Sequence, residues 1–273
     1  MSAQAVRAVV LARGLGTRMR RDGESAALSA EQAAAAAAGL KAMMPLGGHL
    51  FIEYILSSLA DAGISDACLV VAPDADAVRR HFADPAGRRV RVAFAVQTEP
   101  RGTADALLAA ESFTAGEPFL VVNGDNLYPV PVLESLARAE EPAVAAFSRD
   151  ALTADGSIPA ERIASFALLD VGPDGYVRRI VEKPDHETLL RFGANPRVSM
   201  NCWRFDRQIL TACRAVTPSS RGELELPLAV QSAIERGAMR VRGLPAEGTV
   251  LDLSSRADVA GVTRRLGGVT PRP

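Results

Sequence analysis

Gly14, Gly16, Thr17 and Arg18 are the residues of this chain best suited to holding an anion, because they follow directly on the apolar run Val9-Val10-Leu11-Ala12. Two glycines one residue apart let backbone N–H groups approach a ligand closely and allow φ values that other residues resist. Arg18 adds a permanent cation whose fork of donors matches phosphate oxygens. By itself a Gly-x-Gly after a first strand is also an ordinary tight turn, so neighbouring positions have to discriminate. A dinucleotide-binding turn needs a third small residue where this chain has Met19. The chain also has no G-x-x-x-x-G-K-[S/T] run, which argues against a P-loop NTPase.

A second cation, Lys41, opens the segment Lys41-Ala42-Met43-Met44-Pro45-Leu46, and Pro45 with Gly47-Gly48 holds an irregular backbone beside it. In Val121-Val122-Asn123-Gly124-Asp125-Asn126 a carboxylate stands just past an apolar strand, where open α/β sheets present ligand groups. Asp125 is therefore the first candidate metal ligand. Hard oxygen donors beside phosphates suit Mg²⁺, which takes one or two protein carboxylates and fills its shell with water and phosphate. His49, His81 and His186 are far apart in sequence and form no catalytic spacing.

The elements that must position these groups are readable as an alternation. Short apolar runs at 5–12, 67–72, 90–97, 119–123, 143–148 and 163–171 predict strands, and helical spacing predicts helices at 51–62, 102–113, 131–139 and 224–236. Gly63, Gly116 and Gly237 stand where left-handed C-caps are expected, and Gly172-Pro173-Asp174-Gly175 reads as a hairpin turn. Trp203, set among alternating polar and apolar residues, reads as a strand core residue. Between Met19 and Lys41 an alanine-rich run at 33–38 has high helix propensity and little packing information, so it reads as a mobile helix or as a solvent-facing one filling an insertion.

With 273 residues, 48% of them hydrophobic, and a formal net charge of −1, the chain can bury a large core. Its charges are balanced and interspersed, which leaves no nucleic-acid footprint. No apolar run is long enough to span a bilayer and no signal segment is evident, so neither a membrane nor an export route is expected and the address reads as cytoplasmic. Cys68, Cys202 and Cys213 lack metal-ligand spacing and read as buried free thiols.

Taken together, Gly14 to Arg18 and Lys41 to Pro45 resemble the signature of the sugar-1-phosphate nucleotidyltransferase family, a Gly-x-Gly-Thr-Arg loop followed by Lys-x-x-x-Pro. The resemblance covers most of the chain. It implies an α/β fold with a Rossmann-like, doubly wound, mixed but mostly parallel sheet and helices on both faces. A single domain over 1–273 is expected, with a nucleotide-binding half at about 1–130, a sugar-phosphate half at about 131–262 and a frayed tail at 267–273. The implied partners are a nucleoside triphosphate and a sugar 1-phosphate, with Mg²⁺ as cofactor. Self-association as a homo-oligomer stays open.

Residue by residue, the resemblance implies that Leu11, Ala12, Gly14, Gly16 and Thr17 bind the nucleotide while Arg18 and Lys41 grip its triphosphate. Gln97-Thr98-Glu99-Pro100-Arg101-Gly102-Thr103 looks like the base-recognition segment, assigning Gln97, Gly102 and Thr103 to the base. An amide that both donates and accepts suits a pyrimidine edge, which favours uracil or thymine, with guanine next. Glu182 and Lys183 resemble the sugar-phosphate pair, the carboxylate orienting hydroxyls and the ammonium neutralising phosphate. Asn201 and Arg221 match further sugar-side positions, and Asp252 matches a late aspartate that completes the metal site with Asp125. The catalytic set is then Arg18, Lys41, Asp125 and Lys183.

Three departures set the chain apart: Arg13 where many relatives have a small residue, the long spacing from Arg18 to Lys41, and Val250 where the family often has tryptophan. A non-catalytic nucleotide-sugar-binding sensor or regulatory subunit on the same fold is the alternative reading, and a Rossmann oxidoreductase a weaker third.

Overall fold

Nine strands form the main sheet: β1 (Arg7–Leu11), β2 (Asp66–Val71), β3 (Arg91–Val96), β4 (Phe119–Asn123), β5 (Ala143–Ser148), β6 (Ala167–Val171), β7 (Val177–Val181), β8 (Arg197–Phe205) and β9 (Arg242–Ala246). The computed structural model describes residues 6–14, 16–21, 28–154, 158–192 and 196–273. Strand order is β7-β6-β8-β4-β1-β2-β3, with β5 pairing both β8 and β9. β7 and β8 run against the remaining strands. The sheet is thus mixed but mostly parallel, as expected.

Alternate side chains of each central strand enter different cores, which follows from the two-residue period of an extended chain. Ala8, Val10, Leu120 and Val122 join one cluster, while Val9, Phe119 and Val121 join the other. Helices Phe51–Asp61, Val130–Arg138 and Arg256–Leu266 cover the first face. Helices Thr103–Ala109, Gln208–Ala215 and Leu226–Glu235 cover the second. With both faces covered, the central strands read as continuous apolar runs. Trp203 is fully buried and stacks on Phe205, and the three cysteines are buried thiols, both as read from the sequence. No helix among the described residues is long and apolar enough to cross a membrane.

Several local expectations need correction. Residues 163–166 belong to a 3-10 turn and its exit, so the strand begins at Ala167. The helix expected over 102–113 breaks at Ala110, and Ala115 takes the left-handed conformation ahead of Gly116. Ala5 lies outside the described residues. The tail expected to fray is held instead: Arg89 donates through its backbone N to Pro273 O at 2.7 Å and through Nε to Arg272 O at 2.7 Å, and Arg272 N donates to Ser57 Oγ at 3.1 Å.

The alanine-rich insertion is neither loose nor wholly solvent-facing. Residues 22–27 lie outside the described residues, but Ala30–Ala38 is a helix capped by Ser29, whose hydroxyl accepts from Gln32 N while Gln32 accepts from Ser29 N. Ala36 is fully buried, Gln32 Nε2 donates to Pro45 O at 2.9 Å, and Arg20 donates to Ala38 O at 2.9 Å. The helix therefore ties the glycine loop to the segment that carries Lys41.

Candidate active site

The C-terminal ends of β1 and β4 are drawn together by Gly124, whose N–H donates to Leu11 O at 2.9 Å. A Cβ on Gly124 would stand 3.0 Å from Ala12 Cα, so a side chain there would push these strand ends apart. Above them the glycine loop turns out of β1. Gly16 takes φ +58°, and a Cβ on it would lie 2.6 Å from Gly39 Cα, the left-handed cap of the insertion helix. Gly14 is exposed with nothing within 4 Å of where a Cβ would be. Met19, where a dinucleotide-binding turn would need a small residue, is buried in the core, and its carbonyl accepts from Arg256 Nε at 2.8 Å.

This geometry opens a cleft of about 450 Å³. Its lining includes Leu11, Ala12, Gly14, Gly16, Thr17, Arg18, Lys41, Gln97, Gly102, Thr103 and Asp125, and also Arg13, Asn123, Arg221, Glu223 and Ser254. Lys41 Nζ donates to Asp125 Oδ2 at 2.8 Å, so a cation and a carboxylate from residues 84 apart meet at one wall.

At the opposite lining segment Gln97 is 4% exposed, and its Nε2 donates to Gly102 O at 3.0 Å and Asp105 Oδ2 at 2.8 Å. That commits the amide nitrogen and leaves Oε1 as the group able to accept from a ligand. Gly102, at φ +122°, lies against Leu224: a Cβ would fall 2.4 Å from Leu224 O. Ala104 N donates to Leu224 O at 2.8 Å, Leu224 N to Arg101 O at 2.7 Å, and Leu226 N to Thr103 Oγ1 at 2.8 Å. The glycine thus serves a close approach of two backbones.

Asp252 lies on the short strand Leu251–Asp252, paired with Asn126–Leu127, and Leu253 N donates to Asp125 O at 2.8 Å. The two candidate metal ligands therefore stand on neighbouring backbones. Asp252 itself is buried behind the cleft lining. It accepts from Asn126 Nδ2 at 3.2 Å, from Ser254 Oγ at 2.8 Å and from Arg162, whose Nη1 also reaches Asp258 at 2.7 Å. Burial, and then the Asp125 charge, push the Asp252 carboxyl above the ordinary range, against the pull of Arg162. Among the described residues no group of three or more His, Cys, Asp or Glu is placed to hold a metal.

The sugar-side residues are less gathered. Glu182, Lys183 and Asn201 do not line the cleft, whereas Arg221 does. Arg221 pairs with Glu225 at 2.8 Å and Glu223 at 3.6 Å. Burial and the Glu225 charge push the Glu182 carboxyl up to about 7, opposed by Arg221 and Lys183, which puts these four groups within one electrostatic neighbourhood. Lys183 and Asn201 have φ of +43° and +56°, a region costly for lysine and better tolerated by asparagine. Asn201 sits where the pairing of β8 with β5 shifts register, its Oδ1 accepting from Trp203 Nε1 at 3.3 Å.

Arg162, Asp105 and Asn126 were not legible as site residues. Each acts through a partner distant in sequence or through another side chain, and Asn126, although it ends the quoted 121–126 motif, shows its role only through Asp252. Arg13 was visible as a departure with a bearing on base or phosphate contacts, the two left open.

The chain matches the family described as Nucleotidyl transferase over residues 7–247. A glucose-1-phosphate thymidylyltransferase of Streptomyces antibioticus is 29% identical over 267 residues, covering 95% of this chain and 65% of that protein. A second, from an Actinoplanes strain, is 30% identical over 224 residues, covering 80% and 68%. The chain thus spans about two thirds of the length of these relatives. A crystal structure of UDP-glucose pyrophosphorylase complexed with UDP-glucose superposes with a TM-score of 0.74 at 16% identity, covering 96% of this chain and 98% of that one.

Proposed function

Since the chain belongs to the nucleotidyl transferase family, we propose that its cleft joins a nucleoside triphosphate to a sugar 1-phosphate, giving a nucleotide sugar and pyrophosphate. A phosphate oxygen of the sugar attacks the α-phosphorus in line, the bond from that phosphorus to the bridging oxygen breaks, and pyrophosphate leaves with the electron pair. The attacking group is already an anion at neutral pH, so no protein nucleophile is required. What the protein has to supply is alignment and compensation of two repelling anions.

The observation that carries this reading is the meeting in one cleft of the glycine loop with Arg18, the Lys41–Asp125 pair, and the segment bearing Gln97. Backbone N–H groups of the loop and Arg18 grip the triphosphate, and Lys41 exchanges its carboxylate partner for a phosphate. Gln97 Oε1 accepts from the ring N–H of uracil or thymine. Glu182, Lys183, Asn201 and Arg221 receive the sugar phosphate, and the unfavourable φ at Lys183 supports a position held for a ligand.

The donor set fits Mg²⁺. Asp125 and Asp252 offer hard oxygens from adjacent backbones, and this ion needs only one or two protein carboxylates when phosphates complete its shell. Bound there, it would neutralise phosphate charge. Asp125 is the ligand at the cleft wall, while Asp252 carries Arg162 as its present counter-charge.

Pyrophosphate release measured over a panel of triphosphates and sugar 1-phosphates tests the reading. Release is expected only with both substrates and Mg²⁺. Tight nucleotide binding with no metal-dependent turnover for any pair would instead mark a sensor.

A further inference from the structure

Arg13 stands in the cleft wall between the glycine loop and the 97–103 segment, and no role assigned above uses it. Its Nη2 donates to Thr98 O at 3.1 Å, while Nε and Nη1, both closed off from solvent, have no acceptor among the described residues. A guanidinium nitrogen left unpaired inside a protein carries a desolvation cost that a smaller residue at this position would not. Among the described residues no protein group supplies the missing acceptors, and the side chain borders the space that a ligand fills.

The anchor on Thr98 says which end of the ligand is concerned. Thr98 adjoins Gln97, whose Nε2 is committed to Gly102 and Asp105 and whose Oε1 is left to accept. Among the described residues the guanidinium's hydrogen bond is therefore on the segment that faces the base, not on Asp125. This wall presents one fixed acceptor and a fork of charged donors, a pattern that complements a ring N–H lying next to a carbonyl.

We propose that Arg13 is a specificity-determining residue whose guanidinium donates to the 4-carbonyl oxygen of the nucleobase, so that Arg13 and Gln97 Oε1 together select a uracil-type edge. The inference rests on the nucleotidyl-transfer reading and deepens it. A cytosine placed the same way sets its ring-nitrogen lone pair against Oε1 and its amine against the guanidinium, which penalises it at both points.

Calorimetric binding of UTP, CTP and inorganic tripolyphosphate to the whole chain in Mg²⁺ tests this with wild type, Arg13→Ala and Arg13→Lys, each first checked by thermal melting. Arg13→Ala is expected to weaken UTP on the order of tenfold, to narrow the UTP-over-CTP preference by a similar factor, and to leave tripolyphosphate unchanged. Arg13→Lys keeps the charge without the fork and should restore only part of the loss. An equal loss on tripolyphosphate would make Arg13 a phosphate ligand and overturn the proposal. So would unchanged UTP binding in Arg13→Ala, or full restoration by lysine. If the wild-type chain binds no triphosphate, the transferase reading falls and this one with it. If wild type binds UTP and Arg13→Ala matches it, only the role of Arg13 falls.

Discussion

Lys41 Nζ lies 2.8 Å from Asp125 Oδ2, and this pair lies at the cleft wall on which the proposed triphosphate grip and the proposed metal site converge. Neither side chain is fully buried, at 15% and 28% exposure, so a ligand can exchange partners with both. Arg18 is exposed at the loop. Arg18→Ala and Asp125→Ala are therefore expected to melt within a few degrees of wild type while pyrophosphate release falls on the order of 100-fold, the scale for removing one preorganised electrostatic group. Turnover within twofold of wild type for either variant would contradict the assignment.

Gly14 and Gly16 stand two residues apart and should behave differently. A Cβ at Gly16 would lie 2.6 Å from Gly39 Cα, and its φ of +58° adds strain, whereas Gly14 has open space. Gly16→Ala is expected to lower stability by about 1–3 kcal/mol in urea unfolding, because the loop and the insertion helix cannot both hold their places. Gly14→Ala should unfold like wild type and reveal its cost only in triphosphate affinity. Equal stability of the two variants would mean that the insertion helix does not buttress the loop.

That contrast shows where sequence reading stops. The Gly14–Arg18 loop and Asp125 were legible because each follows an apolar run that marks a strand end, whereas Lys41 and the Gln97–Thr103 segment were read through the family resemblance, and the cleft gathers residues from all of them. What the glycines touch was not legible: Gly16 and Gly102 are explained by Gly39 and Leu224, and the second of these contacts is fixed only by the folded topology. Strand β8 was recognised only at Trp203, because Ser199, Asn201 and Arg204 interrupt its apolar pattern and a register shift lies among them. Arg162 gave no signal, since its partners Asp252 and Asp258 are 90 and 96 residues away.

Arg162 bridges two carboxylates that are largely shielded from water, with side-chain exposures of 4% at Asp252 and 13% at Asp258. Breaking such a bridge from the cation side leaves both charges uncompensated, which is worse than never having built it. Arg162→Met is expected to cost about 3–5 kcal/mol of unfolding free energy in urea. Adding Asp252→Asn should recover part of it, because the amide has no charge to leave unpaired. Additive losses in the double variant would show that Arg162 and Asp252 do not act as a pair.

Glu182 gives the site a pH signature of definite sign. Burial and the Glu225 charge raise its carboxyl to about 7 in the folded chain, above the ordinary value of 4.5. Between those values the folded state holds a proton that the unfolded chain has released, so stability present below about pH 4.5 is lost as pH rises through about 7. The loss is at most about 3 kcal/mol, and smaller to the extent that water reaches this partly exposed side chain. Asp252, also raised, contributes in the same direction, so the wild-type slope alone does not isolate Glu182. Urea midpoints of wild type should therefore fall from pH 5 to pH 7.5 more steeply than those of Glu182→Gln, which carries no titrating group at that position. Parallel slopes for the two proteins would show that Glu182 keeps an ordinary carboxyl, and would remove it from the neighbourhood of Glu225 and Arg221.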